Sequence, residues 1–150
     1  NSILCTNESV LIAEEAIADK LLAALTREGG YVLKGDDGAA IRKAVFPDGH
    51  FNVQLIGRSA SEVAAAAGIT VPARTKVLIA PIDLVVPEEP LAHEKLLPVL
   101  SFVRVPSAKR GIDVARAVLR ITGAGHSAAV HSNDASLVMA YSAAVPVLRV

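Results

Sequence analysis

Tryptophan is absent from this chain, and the three aromatic residue types together make up only 3% of it. An aromatic core is therefore excluded. The 52% of residues that are hydrophobic must pack largely as aliphatic side chains, which suits a parallel sheet held between helices. Cysteine occurs once, at Cys5. One thiol rules out an internal disulfide and points to the cytoplasm as compartment. Charge of one sign is not in excess: fifteen Lys and Arg balance fifteen Asp and Glu. No basic face is on offer to nucleic acid or to a membrane surface. No apolar run approaches the roughly 20 residues a membrane helix needs. No basic stretch leads into an apolar one in the manner of a signal peptide.

What is present is a regular alternation. At 150 residues the chain suffices for one domain with a real core. Ser9 to Ala13 is a short apolar run that reads as a buried strand. Glu14 to Arg27 has helical periodicity, with Ile17, Leu21 and Leu25 on one face, and Gly29-Gly30 stops it. Tyr31 to Leu33 is a possible strand, and Asp36-Asp37-Gly38 opens a helix to about Val45. Pro47-Asp48-Gly49 is a turn, and Val53 to Ile56 reads as a short strand. Ser59 to Ala67 reads as an alanine-rich helix with Ser59 or Ser61 as cap.

The second half repeats the rhythm. Lys76 to Ala80 is a strand, Asp83 to Pro90 a loop, and His93 to Leu97 a candidate helical turn. Val99 to Val105 is a strand. Ser107 caps a helix to about Ile121, with Ile112, Ala115, Val118 and Leu119 inward. Ser127 to His131 is a strand, Ser132-Asn133-Asp134 caps a helix through Ala143, and Val147 to Val150 is the last strand. The class is α/β with a mostly parallel sheet flanked by helices. The chain opens at Asn1 without methionine and closes on the apolar strand pattern VPVLRV. Domains seldom stop on a core strand, so the expectation is one domain, residues 1–150, from a longer chain.

Three places could carry chemistry. A lone cysteine is ordinarily a buried small hydrophobe. Cys5, however, is followed by polar Thr6, Asn7 and Glu8 just before the first strand, a sheet-edge position of the kind that holds ligands. A nucleophilic thiolate needs partial exposure and positive potential nearby. Glu94, in AHEKLLPVL, reads either as a solvated loop charge or as a carboxylate that takes a ligand hydroxyl. His126, in GAGHSAAVHS, stands where a hydrogen-bonded structural histidine or a catalytic one would serve, with His131 as a weaker candidate. The GxG here precedes a strand instead of opening a helix, so it is not a phosphate loop. No Walker motif, zinc spacing or nucleophile elbow occurs, and a metal site is not expected.

Taken together, ILCTNESVLI, HEKLLPVLSF and GAGHSAAVHS resemble the aldehyde dehydrogenase superfamily. More narrowly they are similar to its CoA-acylating branch, the acetaldehyde and propionaldehyde dehydrogenases, including the aldehyde half of bifunctional aldehyde–alcohol dehydrogenase. The likeness runs in order from Asn1 to Val150 and is loosest from Gln54 to Pro90. The resemblance implies that Cys5 is the catalytic nucleophile and that Glu94, in an E-x-x-x-P-V run, holds the nicotinamide ribose. His126 corresponds to the histidine near the active site of the branch. Leu96-Leu97 replaces the Phe-Gly common in non-acylating relatives, which fits the acylating branch better.

By the same resemblance this is the thiol-bearing catalytic domain, with the cofactor-binding domain upstream. The cofactor would be NAD or NADP, with coenzyme A as co-substrate and a small aldehyde as substrate. The intact enzyme would be a cytoplasmic homo-oligomer, in some relatives housed in a bacterial microcompartment. Two alternatives stay open: a hydrolytic aldehyde dehydrogenase that yields the free acid, and an α/β ligand-binding domain in which Cys5 is only core.

Overall fold

The computed structural model describes residue 4 and residues 7–121 and 125–150. Four parallel strands form the main sheet: β1 (Val10–Glu14), β2 (Gly30–Val32), β3 (Val77–Pro81) and β4 (Val99–Val105), in the order β1-β4-β3-β2. Val10 lies opposite Ser101, Leu78 opposite Val99, and Gly30 opposite Val77. Successive residues of a strand face opposite sides, and here each side meets its own helices. Ile79, Phe102, Leu11 and Ala13 pack on one face with Ala18, Leu21, Leu22 and Leu25 of α1 (Glu15–Arg27). Leu78, Ala80, Val103 and Val105 pack on the other. That second layer holds Ile41 and Val45 of α2 (Asp37–Val45), Val63 of α3 (Ala60–Ala66) and Val114 of α4 (Ala108–Ile121). The core is aliphatic, as the composition demands, with Phe102 its largest apolar member.

Local chemistry explains the element ends. Ser59 and Glu62 cap α3 reciprocally, each side chain taking the other's backbone N–H. Gly29 leaves α1 at φ +105°, a conformation glycine adopts freely. At Gly30 a Cβ would stand 2.7 Å from Ile79 Cδ1 and 2.9 Å from the Leu25 carbonyl oxygen. Only glycine lets the helix end press that closely on β3.

The structure corrects four expectations. Val53 to Ile56 is not a strand. Its Val53–Leu55 part is a 3-10 turn, because the Asn52 side chain accepts the Gln54 N–H at 3.2 Å and draws the backbone round. The helical turn lies at Pro90–Ala92, not His93 to Leu97, because Glu89 caps the Leu91 N–H at 3.0 Å. The strand near His126 is β5 (Gly125–Ser127), not Ser127 to His131. It does not join the main sheet. It pairs in parallel with β6 (Val147–Arg149) as a separate ribbon, the two strands joined through α5 (Ala135–Ala144). The chain's last strand is therefore not a core strand: Leu148 is 94% exposed.

Candidate active site

Because β1 and β4 are adjacent and parallel, the segments that lead into them meet at one edge of the sheet. This is the amino edge. Open α/β sheets more often bind ligands beyond the carboxyl ends of their strands. Into β1 comes the stretch that contains Cys5. Cys5 itself lies outside the described residues, but Leu4 and the residues from Asn7 onward are described. The Asn7 N–H donates to the Leu4 carbonyl at 3.0 Å. Into β4 comes the turn that carries Glu94. Leu4, Asn7, Glu8, Ser9, Glu94, Leu96 and Leu97 together line one small recess of about 10 Å³. Glu94 is exposed at this recess. Its carboxylate can accept hydrogen bonds from a ligand's hydroxyls.

The recess has a strained wall. Leu96 takes φ +47°, a left-handed conformation that disfavours any residue with a Cβ by roughly 1–2 kcal/mol. Such strain persists only where its surroundings hold it, and it gathers at functional sites.

Beneath the recess lies a feature the sequence did not suggest. Lys95 is 1% exposed. Its Nζ donates to the Leu91 carbonyl at 2.7 Å, the Ser9 hydroxyl at 2.9 Å, the His93 carbonyl at 3.0 Å and the Ser9 carbonyl at 3.2 Å. Burial pushes its pKa down to about 7, against the upward pull of Glu89 and Glu94. Buried Ser101 donates its hydroxyl to the Leu91 carbonyl at 2.5 Å. The only sequence signal for this cluster is the lysine's place between Glu94 and the apolar run LLPVL that follows it.

An ion pair fixes the turn from the other side. Arg42 grips Glu89 with Nε at 2.9 Å from one carboxylate oxygen and Nη2 at 2.8 Å from the other. Burial raises the pKa of Glu89, but the Arg42 bonds and the Leu91 N–H outweigh it, so the carboxyl ends below its usual range. The His93 ring is tied to the Pro87 carbonyl at 2.8 Å and packs 6.3 Å, centre to centre, from Phe46.

His126 is elsewhere. It is exposed on β5, with Nδ1 2.9 Å from the Ser127 hydroxyl. It lines an open groove of about 410 Å³ with Gly125, Ser127, Leu148 and Arg149. This groove and the Glu94 recess share no lining residue among those described. The structure thus brings Glu94 together with the neighbours of Cys5 and leaves His126 apart. His131 lies in an irregular stretch beyond β5 and lines neither site.

No family model matches the chain. It is 31% identical over 134 residues to the aldehyde-alcohol dehydrogenase of Clostridium acetobutylicum, an alignment that covers 89% of this chain and 16% of that protein. It is 29% identical over 150 residues to the acetylating succinate-semialdehyde dehydrogenase of Clostridium kluyveri, covering 99% of this chain and 33% of the other. Among solved structures, an acetylating aldehyde dehydrogenase from Geobacillus thermoglucosidasius superposes with a TM-score of 0.95 at 29% identity, over 99% of this chain and 33% of that one. The chain spans from about a sixth to a third of the length of these relatives.

Proposed function

We propose, for a chain that shares its fold and its sequence with the CoA-acylating aldehyde dehydrogenases across its length, that it is the thiol-bearing catalytic domain of such an enzyme. The observation that carries the reading is the shared recess. The residues on both sides of Cys5 and the Glu94 carboxylate line it together. The described residues that flank Cys5 thus meet Glu94, although 89 positions separate Cys5 from Glu94 in sequence.

The chemistry follows from that pairing. The Cys5 thiolate attacks the carbonyl carbon of a small aldehyde, a C–S bond forms, and the oxygen takes the negative charge. Backbone N–H groups near the thiol and a donor from the cofactor-binding domain would meet that oxyanion. Return of the oxyanion to a carbonyl expels hydride and leaves a thioester on Cys5. NAD or NADP, when bound, supplies the hydride acceptor. The exposed Glu94 carboxylate fits the hydroxyls of its ribose and would hold it over the recess. The thiol of coenzyme A then attacks the thioester, the bond to Cys5 breaks, and acyl-CoA leaves with the thiolate restored. A thiol needs no carboxylate base of the kind that activates water. His126 is proposed to orient or deprotonate the CoA thiol, or to polarise the thioester, a role that requires bound CoA to bring its groove and the recess together. The same reading takes the intact enzyme to be a cytoplasmic homo-oligomer with its cofactor domain upstream, in keeping with a reduced thiol at Cys5.

The test needs no nicotinamide, because thiolysis runs backwards. Incubation with acetyl-CoA is expected to add one acetyl group to Cys5, read by intact mass and located by peptide mapping, and to add none to Cys5→Ser. A wild-type chain that stays unacetylated while its thiol reacts with iodoacetamide would remove the acyl-CoA reading. For His126→Gln, the expected result is slower acetylation; an unchanged rate would strip His126 of its role.

A further inference from the structure

Lys95 heads the fully buried side chains in volume among the described residues, and no step above uses it. We propose that Lys95 is a positioning residue: its buried amine pins Ser9, four residues beyond Cys5, to the turn that carries Glu94. One anchor then sets the nucleophile's segment and the ribose-holding carboxylate against each other. The inference rests on the assignment of Cys5 and Glu94 made above.

The geometry favours an anchor over a mere filler. Each carbonyl that Lys95 reaches has a second donor. The Leu91 carbonyl takes the Ser101 hydroxyl, the Ser9 carbonyl takes the Ser101 N–H at 3.0 Å, and the His93 carbonyl takes the Ser9 hydroxyl at 3.2 Å. Without Lys95 none of these oxygens would be orphaned. Polar satisfaction therefore does not demand the lysine, and an apolar residue of its length would fill the volume without burying a charge. What Lys95 adds is a cross-link. It ties the entry to β1 to residues 91 and 93, more than 80 positions later. Ser9 and Glu94 line the same recess.

The charged groups that bear on Lys95 are Glu89, already held by Arg42, and Glu94. With its pKa near 7, the amine loses a donor as pH rises through neutrality, and two N–H groups then serve four oxygens.

Lys95→Met, Ser9→Ala and Ser9→Thr can be compared with the wild-type chain in two measurements. Hydrogen exchange of the peptide spanning residues 4–11 reads the anchor alone. The saturable rate of Cys5 acetylation by acetyl-CoA reads its consequence. Exchange in this peptide is expected to quicken in Lys95→Met and Ser9→Ala and to stay put in Ser9→Thr, which keeps the hydroxyl. The maximal acetylation rate is expected to fall about tenfold in Lys95→Met at an unchanged half-saturating acetyl-CoA concentration, as for a misplaced nucleophile. Ser9→Ala should fall less and Ser9→Thr hardly at all.

Unchanged exchange in both Lys95→Met and Ser9→Ala overturns the anchor. Faster exchange with an unchanged acetylation rate overturns its role in positioning. Should Lys95→Met not fold, equal behaviour of Ser9→Ala and Ser9→Thr overturns the proposal by itself. A wild-type chain that takes no acetyl group defeats the reading of the site instead, and exchange still decides on the anchor.

Discussion

Strand β6 of the ribbon carries apolar side chains like those of the main sheet, whereas β5 is Gly-His-Ser, and the two regions are buried to very different degrees. Ile79 of β3 is fully buried, whereas Leu148 of β6 is 94% exposed. The apolar residues of β3 and β4 meet helices on both faces. Helix α5, with Leu137, Val138 and Met139 in succession, has no buried residue at all, although Asp134 caps it with bonds to the Ser136 and Leu137 N–H groups. An apolar run marks where a strand or helix forms. Whether that element is covered depends on its neighbours, as Leu148 of β6 shows against Ile79 of β3.

Core substitutions should separate the regions most widely. Phe102→Ala is expected to lower stability by about 3–5 kcal/mol, since it opens a cavity in the α1 face of the sheet. Urea unfolding followed by circular dichroism measures it. A loss near zero would break the comparison at its strongest point.

The buried charge comes next. With the folded pKa of Lys95 near 7 and the unfolded value near 10.5, the unfolded chain holds more protons between those limits. Stability should therefore rise as pH climbs from 7 toward 10.5, and below 7 the folded state bears the full cost of a buried ammonium. Lys95→Met should flatten this rise in denaturation series across that range. A profile as steep in Lys95→Met as in the wild type would assign the effect to other groups.

The Arg42–Glu89 pair is weaker, because Arg42 is about a third exposed and water screens it. Glu89→Gln keeps an oxygen for the Leu91 N–H and should cost about 1 kcal/mol in thermal unfolding. A cost of several kcal/mol would mean the turn before β4 depends on this charge more than on its cap.

At the small end, Leu148→Ala and Met139→Ala should each stay within about 0.5 kcal/mol of wild type in this chain. A larger loss at Leu148 would show that the ribbon is covered in solution and would erase its contrast with the sheet.

Much of this fold could be read along the chain. Period-four apolar residues marked α1, although Ile17 of that set is 53% exposed and Ala18 takes the buried place beside Leu21 and Leu25; the Ser107 cap marked the start of α4, and Val99–Val105 is β4 from end to end. What could not be read were facts of juxtaposition. Val53 to Ile56 has strand-forming residues but no strand beside it. The pairing of β5 with β6, apart from the sheet, depends on where α5 returns the chain. Glu94 stood out by its motif, while Lys95 beside it looked like an ordinary surface charge. Only the meeting of Ser9, Leu91 and His93 around its amine makes it a buried group. The strain at Leu96 was equally silent, since leucine carries no sequence sign of positive φ.

The strand order has a consequence in time as well as in space. Among the described residues, strand β1 lies at the edge of the sheet and pairs with β4, so Val10 waits for Ser101. During synthesis β1 is thus without this partner until about ninety further residues have emerged. Closing a loop of that length is slow compared with forming a helix. Strand β1, which follows the chain's one thiol in sequence, can dock only after β4 exists, which makes it the last strand of this sheet to be assembled.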